Sequence, residues 1–468
     1  MSSVGPGVET FLRRPLPSPS VSVVIAGAGE VGFYVARSLY SEGYEVAIIE
    51  SDEKAANRAE SLDALVVRGN AAAARYLEEA GIREARNFIA VTRSDEVNMV
   101  ACSIAKSYGV RTIARINHTD YIDRPVSLDK FKLLGIDVAI CPDLVAAHKI
   151  VRILTSPPAL LETNVFAKGK IKVVQVMPGD TAPVMGQSIR DVYWPKGANL
   201  AAIFRKSDVI VPQGSDQILP GDRVVVVGDE GSIKDTKELL GIEGKLGEDG
   251  EIDKVMIAGA TRIGINIAKL LEREVDVTLI EPDQRMAEEA SDLLSSALVI
   301  QGEPTDRELL LDEGVAAADS FIAATEAQGK NILSCFLAEK LGAHSTIALI
   351  DQLELVELLY DVGIDLATSP RIATVNTILQ YVHQSEDLVS LAVMQQGEAR
   401  VLEMVVRSKA KVAGRPLRKI GMPPNSIIAA IVRDGATIIP HGDTVVEVGD
   451  TAVVFARTES IPKLKKLF

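Results

Sequence analysis

The chain has 468 residues, of which 47% are hydrophobic, so it can bury the cores of about three domains. Its formal charge of -14 supplies no net positive field and argues against nucleic acid as a partner. Three cysteines without pairing or metal-ligand spacing argue against a disulfide-stapled fold and favour a reducing cytoplasm. The apolar runs are shorter than the roughly 20 residues that a membrane-spanning helix needs, so we predict no transmembrane segment.

Residues 1–20 contain four prolines and several serines and lack the apolar core of a signal peptide. This composition predicts a disordered leader outside the fold.

The first motif is VVIAGAGEVGFYVARSLYSEGYEVAIIE, from Val23 to Glu50, which predicts a strand, a glycine-rich turn, a helix and a second strand. Gly27 permits the tight turn, Gly29 lets backbone N–H groups approach a phosphate, and Gly32 lets the helix pack on the sheet. The candidate phosphate-binding residues are therefore Gly27, Ala28, Gly29, Glu30, Val31 and Gly32. The alternative is a glycine-rich turn that binds nothing.

Glu50 ends the second predicted strand, 18 residues after Gly32. A carboxylate at this place accepts hydrogen bonds from both ribose hydroxyls and repels a 2′-phosphate, which favours NAD or an adenine nucleotide over NADP. The alternative interpretation is that Glu50 is a solvent-exposed residue at the end of a strand and has no ligand.

The predicted fourth and fifth strands end in VTRSDEVN and IARI. Because ligands of open α/β sheets bind beyond the carboxyl ends of the strands, we expect Thr92 and Arg115 to face the same crevice as Gly29. Arg115 would reach a phosphate there, or else form an ion pair with a neighbouring acid.

The layout repeats about 232 residues later, so the chain is a tandem duplication. In each copy, alternating strand and helix patterns give way to short β-branched runs, which predicts an α/β fold of two Rossmann-like parallel-sheet domains, each followed by a small β-rich α+β lobe. We expect one helix in each lobe. The predicted modules after the leader are residues 21–154 (Rossmann-like), 155–241 (small lobe), 242–253 (linker), 254–383 (Rossmann-like) and 384–468 (small lobe).

The second copy differs at the phosphate site, because its turn reads GATRIG and puts Thr261 where the first copy has Gly29. The β-carbon of Thr261 narrows the space through which a phosphate would approach the turn, although the neighbouring Arg262 could offer positive charge to a phosphate. Glu281 and Thr325 repeat Glu50 and Thr92, and Gly259 repeats Gly27, but Leu349 stands in place of Arg115. Whether this copy binds a ligand stays open.

No catalytic residue and no metal site is predicted. The five histidines are scattered without metal spacing, and no nucleotide-hydrolysing loop or nucleophile elbow is present in the sequence. Cys102 and Cys335 occupy matching places in a helix pattern, which favours core packing over redox activity. A nucleotide site without a catalytic partner, built twice, indicates a sensor.

GAGEVG, Glu50, VTRSDEVNMVAC, ARI and the lobe motif AAIFR…QGS…GD resemble the regulatory subunits of Trk-type potassium uptake systems, over residues 21–468. The resemblance implies domains that regulate potassium conductance and bind NAD(H) or ATP/ADP without turnover. It also implies a homotetrameric ring, peripheral on the cytoplasmic face of a potassium-conducting membrane subunit. Nucleotide contacts carried over fall on Gly27, Ala28, Gly29, Glu50, Thr92 and Arg115, with Gly259, Glu281 and Thr325 as weaker counterparts; Asn70 lies in a stretch that departs from the family pattern.

Three alternatives remain at this level. The chain could be an NAD-dependent oxidoreductase with an unrecognised active site, or an ion sensor in which Asp95 and Glu96 bind divalent cations. It could also regulate a different cation transporter, such as an antiporter.

Overall fold

The computed structural model describes residues 21–118, 121, 131–154, 160–179, 181–206, 208–241, 252–351, 359, 364–383, 388–394 and 398–468. The predicted leader (1–20) and all but the last two residues of the predicted linker (242–253) lie outside the described residues.

The first large module is a six-stranded sheet in the order β3-β2-β1-β4-β5-β6, with every strand pair parallel. Strands β1 and β4 are buried along their whole length, because helices cover both faces of the sheet. Its elements are β1 (Val23–Ala26), α1 (Glu30–Ser41), β2 (Val46–Glu50), α2 (Glu53–Glu60), β3 (Leu65–Arg68), α3 (Ala74–Glu79), β4 (Asn87–Ala90), α4 (Asp95–Lys106), β5 (Arg111–Arg115), β6 (Val138–Ile140) and α5 (Pro142–Leu154).

The second large module repeats this topology, with the parallel order β14-β13-β12-β15-β16-β17. The predicted Rossmann-like duplication is confirmed. Its elements are β12 (Lys254–Ala258), α7 (Arg262–Leu271), β13 (Asp276–Glu281), α8 (Gln284–Leu293), β14 (Leu298–Gln301), α9 (Arg307–Asp312), β15 (Ser320–Ala323), α10 (Gln328–Lys340), β16 (Thr346–Leu349), β17 (Leu366–Thr368) and α11 (Pro370–His383). Helix α6 belongs to the first small lobe.

Each small lobe is a five-stranded antiparallel sheet with a helix, as expected. The first contains β7 (Leu160–Phe166), β8 (Ile171–Val176), β9 (Ala198–Arg205), β10 (Asp208–Ile210), β11 (Arg223–Gly228) and α6 (Glu230–Leu239). The second contains β18 (Leu388–Met394), β19 (Ala399–Val405), β20 (Arg415–Pro416), β21 (Ser426–Arg433), β22 (Ala436–Ile438), β23 (Val445–Val446), β24 (Thr451–Arg457) and the four-residue α12 (Ile461–Leu464). Strands β20 and β23 form a separate two-stranded ribbon.

The last helix of each large module packs against the other copy. Helix α5 lies on α7, and its Ile150 and Leu154 share a core with Ile267. Helix α11 lies on α1, and its Leu379 shares a core with Leu39. Because these apolar residues are buried against the other copy, the two large modules are held face to face.

The two small lobes also pack together. Phe204 and Phe455 meet with ring centroids 6.3 Å apart in one buried core. The Glu403 carboxylate accepts a 2.9 Å hydrogen bond from the backbone N–H of Ala167 in the other lobe.

In the described part of the chain, no helix combines the length and apolar character needed to cross a membrane.

Candidate functional site

The glycine-rich turn after β1 has the shape that its residues predict. Gly27 adopts a φ of +103°, a conformation that suits glycine. A β-carbon at Gly32 would stand 1.9 Å from the carbonyl oxygen of Gly27, so only glycine lets α1 approach the turn this closely. A β-carbon at Gly29 would meet no atom within 4 Å. The space beyond Gly29 is therefore open.

The first turn of α1 carries unsatisfied backbone donors. Gly29 is its N-cap and no side chain caps the helix there. The free N–H groups and the positive end of the helix dipole make this place suited to an anion such as a phosphate.

The Glu50 carboxylate is held at the same turn. It accepts hydrogen bonds from the backbone N–H groups of Ala28, Ser51 (2.7 Å) and Asp52 (2.8 Å). These bonds orient the carboxylate beside the mouth of the turn, and a carboxylate has lone pairs for about four hydrogen bonds. The Ser51 hydroxyl also donates to Oε1 at 3.5 Å, whereas Oε2 accepts from Ala28 alone among the described residues, which leaves a lone pair on Oε2 for a ligand hydroxyl.

Asn98 joins the ends of β4 and β5. This fully buried side chain accepts from the hydroxyl of Thr92 at 2.7 Å and donates to the carbonyl of Arg115 at 2.9 Å. The second copy repeats the arrangement with Asn331, Thr325 and Leu349. Asn98 thus positions both predicted residues, a role that sequence reasoning missed although the residue recurs in both copies.

Arg115 is the main cation at the end of β5. Burial lowers the pKa of its guanidinium, whereas the charges of Asp95 and Asp143 act in the opposite direction. Burial likewise raises the pKa of Asp143, against the charges of Arg262 and Arg115. The Nε of Arg115 donates to Asn117 at 2.9 Å, and no described acid lies within ion-pair distance. The alternative of an ion pair for Arg115 is therefore not observed.

A cavity of about 830 Å³ lies at this edge of the sheet, a size typical of sites for small molecules and cofactors. Ala28 and Gly32 lie behind its wall, with Ala28 1% exposed. The predicted residues that line the cavity are Gly27, Gly29, Glu30, Val31, Glu50, Asn70, Thr92 and Arg115.

The second copy forms part of the same cavity wall. Arg371, at the start of α11, lies over the first cleft, and its Nη2 is 2.9 Å from Oδ2 of Asp351. The lining residues that the second copy contributes are Ile263, Asp351, Pro370, Arg371 and Thr374. Sequence reasoning missed them because they lie more than 200 residues from Gly29 along the chain. No local pattern indicates a contact of this kind.

The second copy's own turn is closed by its side chain. Gly259 has a φ of +107°, and a β-carbon at Gly264 would stand 2.1 Å from the carbonyl oxygen of Gly259, as in the first copy. The hydroxyl of Thr261, however, accepts from the N–H of Gly264 at 3.2 Å and donates to the carbonyl of Ala324 at 2.7 Å. Thr261 therefore caps α7 and uses a donor that Gly29 leaves open.

The other predicted site residues of the second copy are Glu281, Thr325 and Arg262, and they have different surroundings. Glu281 is 6% exposed and accepts from the N–H groups of Ala260 and Asp283. Thr325 lies at the end of β15, and Arg262 points toward the first copy, where its Nη1 donates to the carbonyl of Asn117 at 3.3 Å.

Known protein families match both halves of the chain. The TrkA-N domain family matches residues 23–142 and 255–370, and the TrkA-C domain family matches residues 173–241 and 401–468. The chain belongs to the TrkA family.

Members of the TrkA family match over nearly the whole chain. The Trk system potassium uptake protein TrkA homolog of Archaeoglobus fulgidus is 37% identical over 95% of this chain and 99% of its own length. Homolog 1 of Methanosarcina mazei is 35% identical over 96% of this chain and its full length, and TrkA of Vibrio alginolyticus is 33% identical over 90% and 92%. These names describe potassium uptake, which agrees with the prediction of a non-enzymatic protein.

Solved structures share the fold of this TrkA-family chain. The GsuK channel bound to NAD has a TM-score of 0.59 at 19% identity, covering 97% of this chain and 79% of its own. The GsuK RCK domain has a TM-score of 0.58 at 20% identity, covering 97% and 96%. At these identities the likeness establishes the fold alone.

The acids proposed for an ion sensor have other roles in this TrkA-family chain. The Asp95 carboxylate, 3% exposed, accepts hydrogen bonds from the N–H groups of Asn117 and His118, and Glu96 accepts from Ser94. Within the ranges described, no group of three or more metal-ligating side chains was found. Cys102 and Cys335 are fully buried, and burial raises the pKa of both thiols, which favours packing over redox chemistry.

Proposed function

We propose that this chain is a nucleotide-sensing regulatory subunit of a potassium uptake system. The observation that carries the proposal is the shared cavity, in which Gly29, Glu50 and Arg115 of the first copy face Arg371 of the second. A nucleotide there would have its phosphates at the N-terminus of α1 and its ribose at Glu50. The ligand is NAD, NADH, ATP or ADP, bound without turnover.

Sensing follows from the position of the cavity between the copies. A ligand that contacts both copies binds best at one angle between them, and so shifts the population toward that arrangement. Arg371 and Arg115 offer positive charge to phosphates, so ligands with different phosphate numbers would favour different angles. In a homotetrameric ring on the cytoplasmic face of a potassium-conducting membrane subunit, that change would reach the gate.

Calorimetric titration with NADH, NAD, ATP and ADP in turn tests the proposal. We expect wild type to bind at least one of them, and Gly29→Asp to lose binding because a carboxylate then occupies the phosphate position. Thr261→Asp is the matched control, since it adds the same charge at the same turn of the second copy and keeps a helix-capping side chain. If wild type binds none of the four, or if the control variant loses binding equally, the proposal is wrong.

A further inference from the structure

We propose that the second small lobe docks through a basic patch on anionic phospholipid headgroups. The patch consists of Lys409, Lys411, Lys463 and Lys466. The proposal deepens the membrane attachment in the proposed function by assigning a lipid contact to this chain itself.

The charge of the two lobes is the first observation. Residues 401–468 contain eleven Lys and Arg against six Asp and Glu, a net charge of +5 in a chain whose total is -14. The matching residues 173–241 of the first lobe contain seven against nine, a net charge of -2. Because the two lobes share one fold, the fold does not require the positive charge.

The excess is concentrated in one segment. Residues 407–419, RSKAKVAGRPLRK, carry six cations and no acid, whereas the matching residues 179–191, GDTAPVMGQSIRD, carry one cation and two acids. Both segments end in a short 3-10 helix, at Leu417–Lys419 and Ile189–Asp191, so they are structurally equivalent. Of these two equivalent segments, only the one in the second lobe carries a net positive charge.

The fold brings this segment to the C-terminus. The N–H of Val412 donates to the carbonyl of Leu467 at 3.3 Å, which places the backbone of Lys411 beside that of Lys466. Lys463 lies in the preceding helix α12, and Lys409 lies two residues before Lys411. All four lysines of the basic patch are exposed, and among the described residues none has an acidic partner within ion-pair distance.

Apolar side chains border the basic patch. Val448 is 59% exposed, and the N–H of Gly449 donates to the carbonyl of Val406 at 2.8 Å, just before the basic segment begins. Leu467 and Phe468 are half-buried next to Lys466. Lysines interleaved with apolar side chains are typical of surfaces that lie on anionic membranes, where the stems meet the interface and the ammonium groups meet phosphates.

A lipid surface fits the charge distribution better than an extended polyanion. The field of a charge is screened over about 8 Å at physiological salt, so a flat surface meets only the face that the chain presents to it. A long polyanion would also meet the acidic remainder of the chain. Docking through the basic patch would orient the second lobe toward the bilayer.

Flotation of the full chain with vesicles tests the proposal and needs neither nucleotide nor a membrane subunit. We expect binding to vesicles of equal phosphatidylglycerol and phosphatidylcholine, and loss of binding on pure phosphatidylcholine or at 1 M salt. The variant Lys409→Gln/Lys411→Gln/Lys463→Gln/Lys466→Gln should bind roughly several hundredfold more weakly, since each of the four lysines near such a surface contributes about fivefold.

The matched control removes the same charge from four exposed lysines elsewhere, in Lys54→Gln/Lys196→Gln/Lys234→Gln/Lys269→Gln, and should bind as wild type does. Equal loss in the control would mean that only net charge matters and would overturn the proposal. Failure of wild type to bind the anionic vesicles would also overturn it. If immobilised polyglutamate then captured wild type but not the patch variant, the patch would instead serve an acidic protein segment.

Discussion

Arg400 and Glu42 form an ion pair in which Nη1 lies 2.6 Å from Oε1 and the side chains are 1% and 2% exposed. Glu42 is the C-cap of α1, whose other end is the open turn at Gly29, and Arg400 lies in β19 of the second small lobe. The helix that begins at this turn is thereby joined to a lobe far along the chain. Lys172 holds the matching place in the first lobe and pairs with Glu230 of its own lobe instead.

Arg400→Met should lower the free energy of unfolding by about 3–5 kcal/mol, because it leaves the Glu42 charge buried without its partner. The double variant Glu42→Met/Arg400→Met should regain most of the loss. Arg457→Met, which removes a more exposed arginine 3.8 Å from Glu459, is the control and should cost less than about 1 kcal/mol. Urea unfolding checks this; a double variant as unstable as Arg400→Met would contradict it.

The two glycines of the first turn should respond differently to alanine. Gly32→Ala should destabilise the chain by about 1–3 kcal/mol or more, since its methyl group would overlap the carbonyl of Gly27. Gly29→Ala should cost at most about 1 kcal/mol but weaken nucleotide binding, because its methyl group projects into the cavity. Thermal unfolding and calorimetric titration of both variants measure the two effects. Equal stability of the two variants would argue against this geometry.

Thr261→Gly should raise the number of nucleotides bound per chain from one to two. Removing the hydroxyl frees the N–H of Gly264 and opens the N-terminus of α7, and replacing a capping threonine by glycine costs only a few tenths of a kcal/mol. Titration stoichiometry is the measurement. If the stoichiometry stays at one, a residue other than Thr261, for example Leu349, prevents nucleotide binding by the second copy.

Asp450→Asn should destabilise the second small lobe only above acidic pH. Burial by itself would raise the pKa of this carboxyl, but hydrogen bonds from Arg433 and the N–H of Glu447 outweigh burial and hold the pKa below its usual 3.8. The depressed pKa stabilises the fold above pH 3.8, and this contribution is lost as the pH falls through the folded-state pKa.

The expected loss is about 2 kcal/mol at pH 7, shrinking toward zero below pH 3.8. Thermal unfolding across this range checks it. Asp434→Asn is the control, since Asp434 is exposed and should show no such difference at any pH. An Asp450→Asn effect that persists unchanged at low pH would contradict the assignment.

The sequence by itself determined those features that depend on interactions between residues close together in the chain, such as the glycine-rich turn and the helix after it. Gly27 and Gly32 are dictated by a positive φ and by a close approach within six residues, so the pattern predicted both the turn and the helix after it. The same spacing in the second copy predicted the second Rossmann-like module. The sequence also showed that Thr261 adds a β-carbon where the first copy has Gly29, whereas the structure revealed that its hydroxyl caps the following helix.

Tertiary structure alone decided which residues of one copy reach the other. Arg371 lies hundreds of residues along the chain from the first-copy residues of the cleft, and Arg400 lies as far from Glu42. Their positions depend on how α11 and the small lobes pack. A periodic pattern states that a helix has an apolar face but not which surface will cover it. The basic patch depends on both sequence and tertiary structure. The positive charge of residues 407–419 is evident from the sequence, but the hydrogen bond from Val412 to Leu467 brings this segment next to the C-terminal lysines.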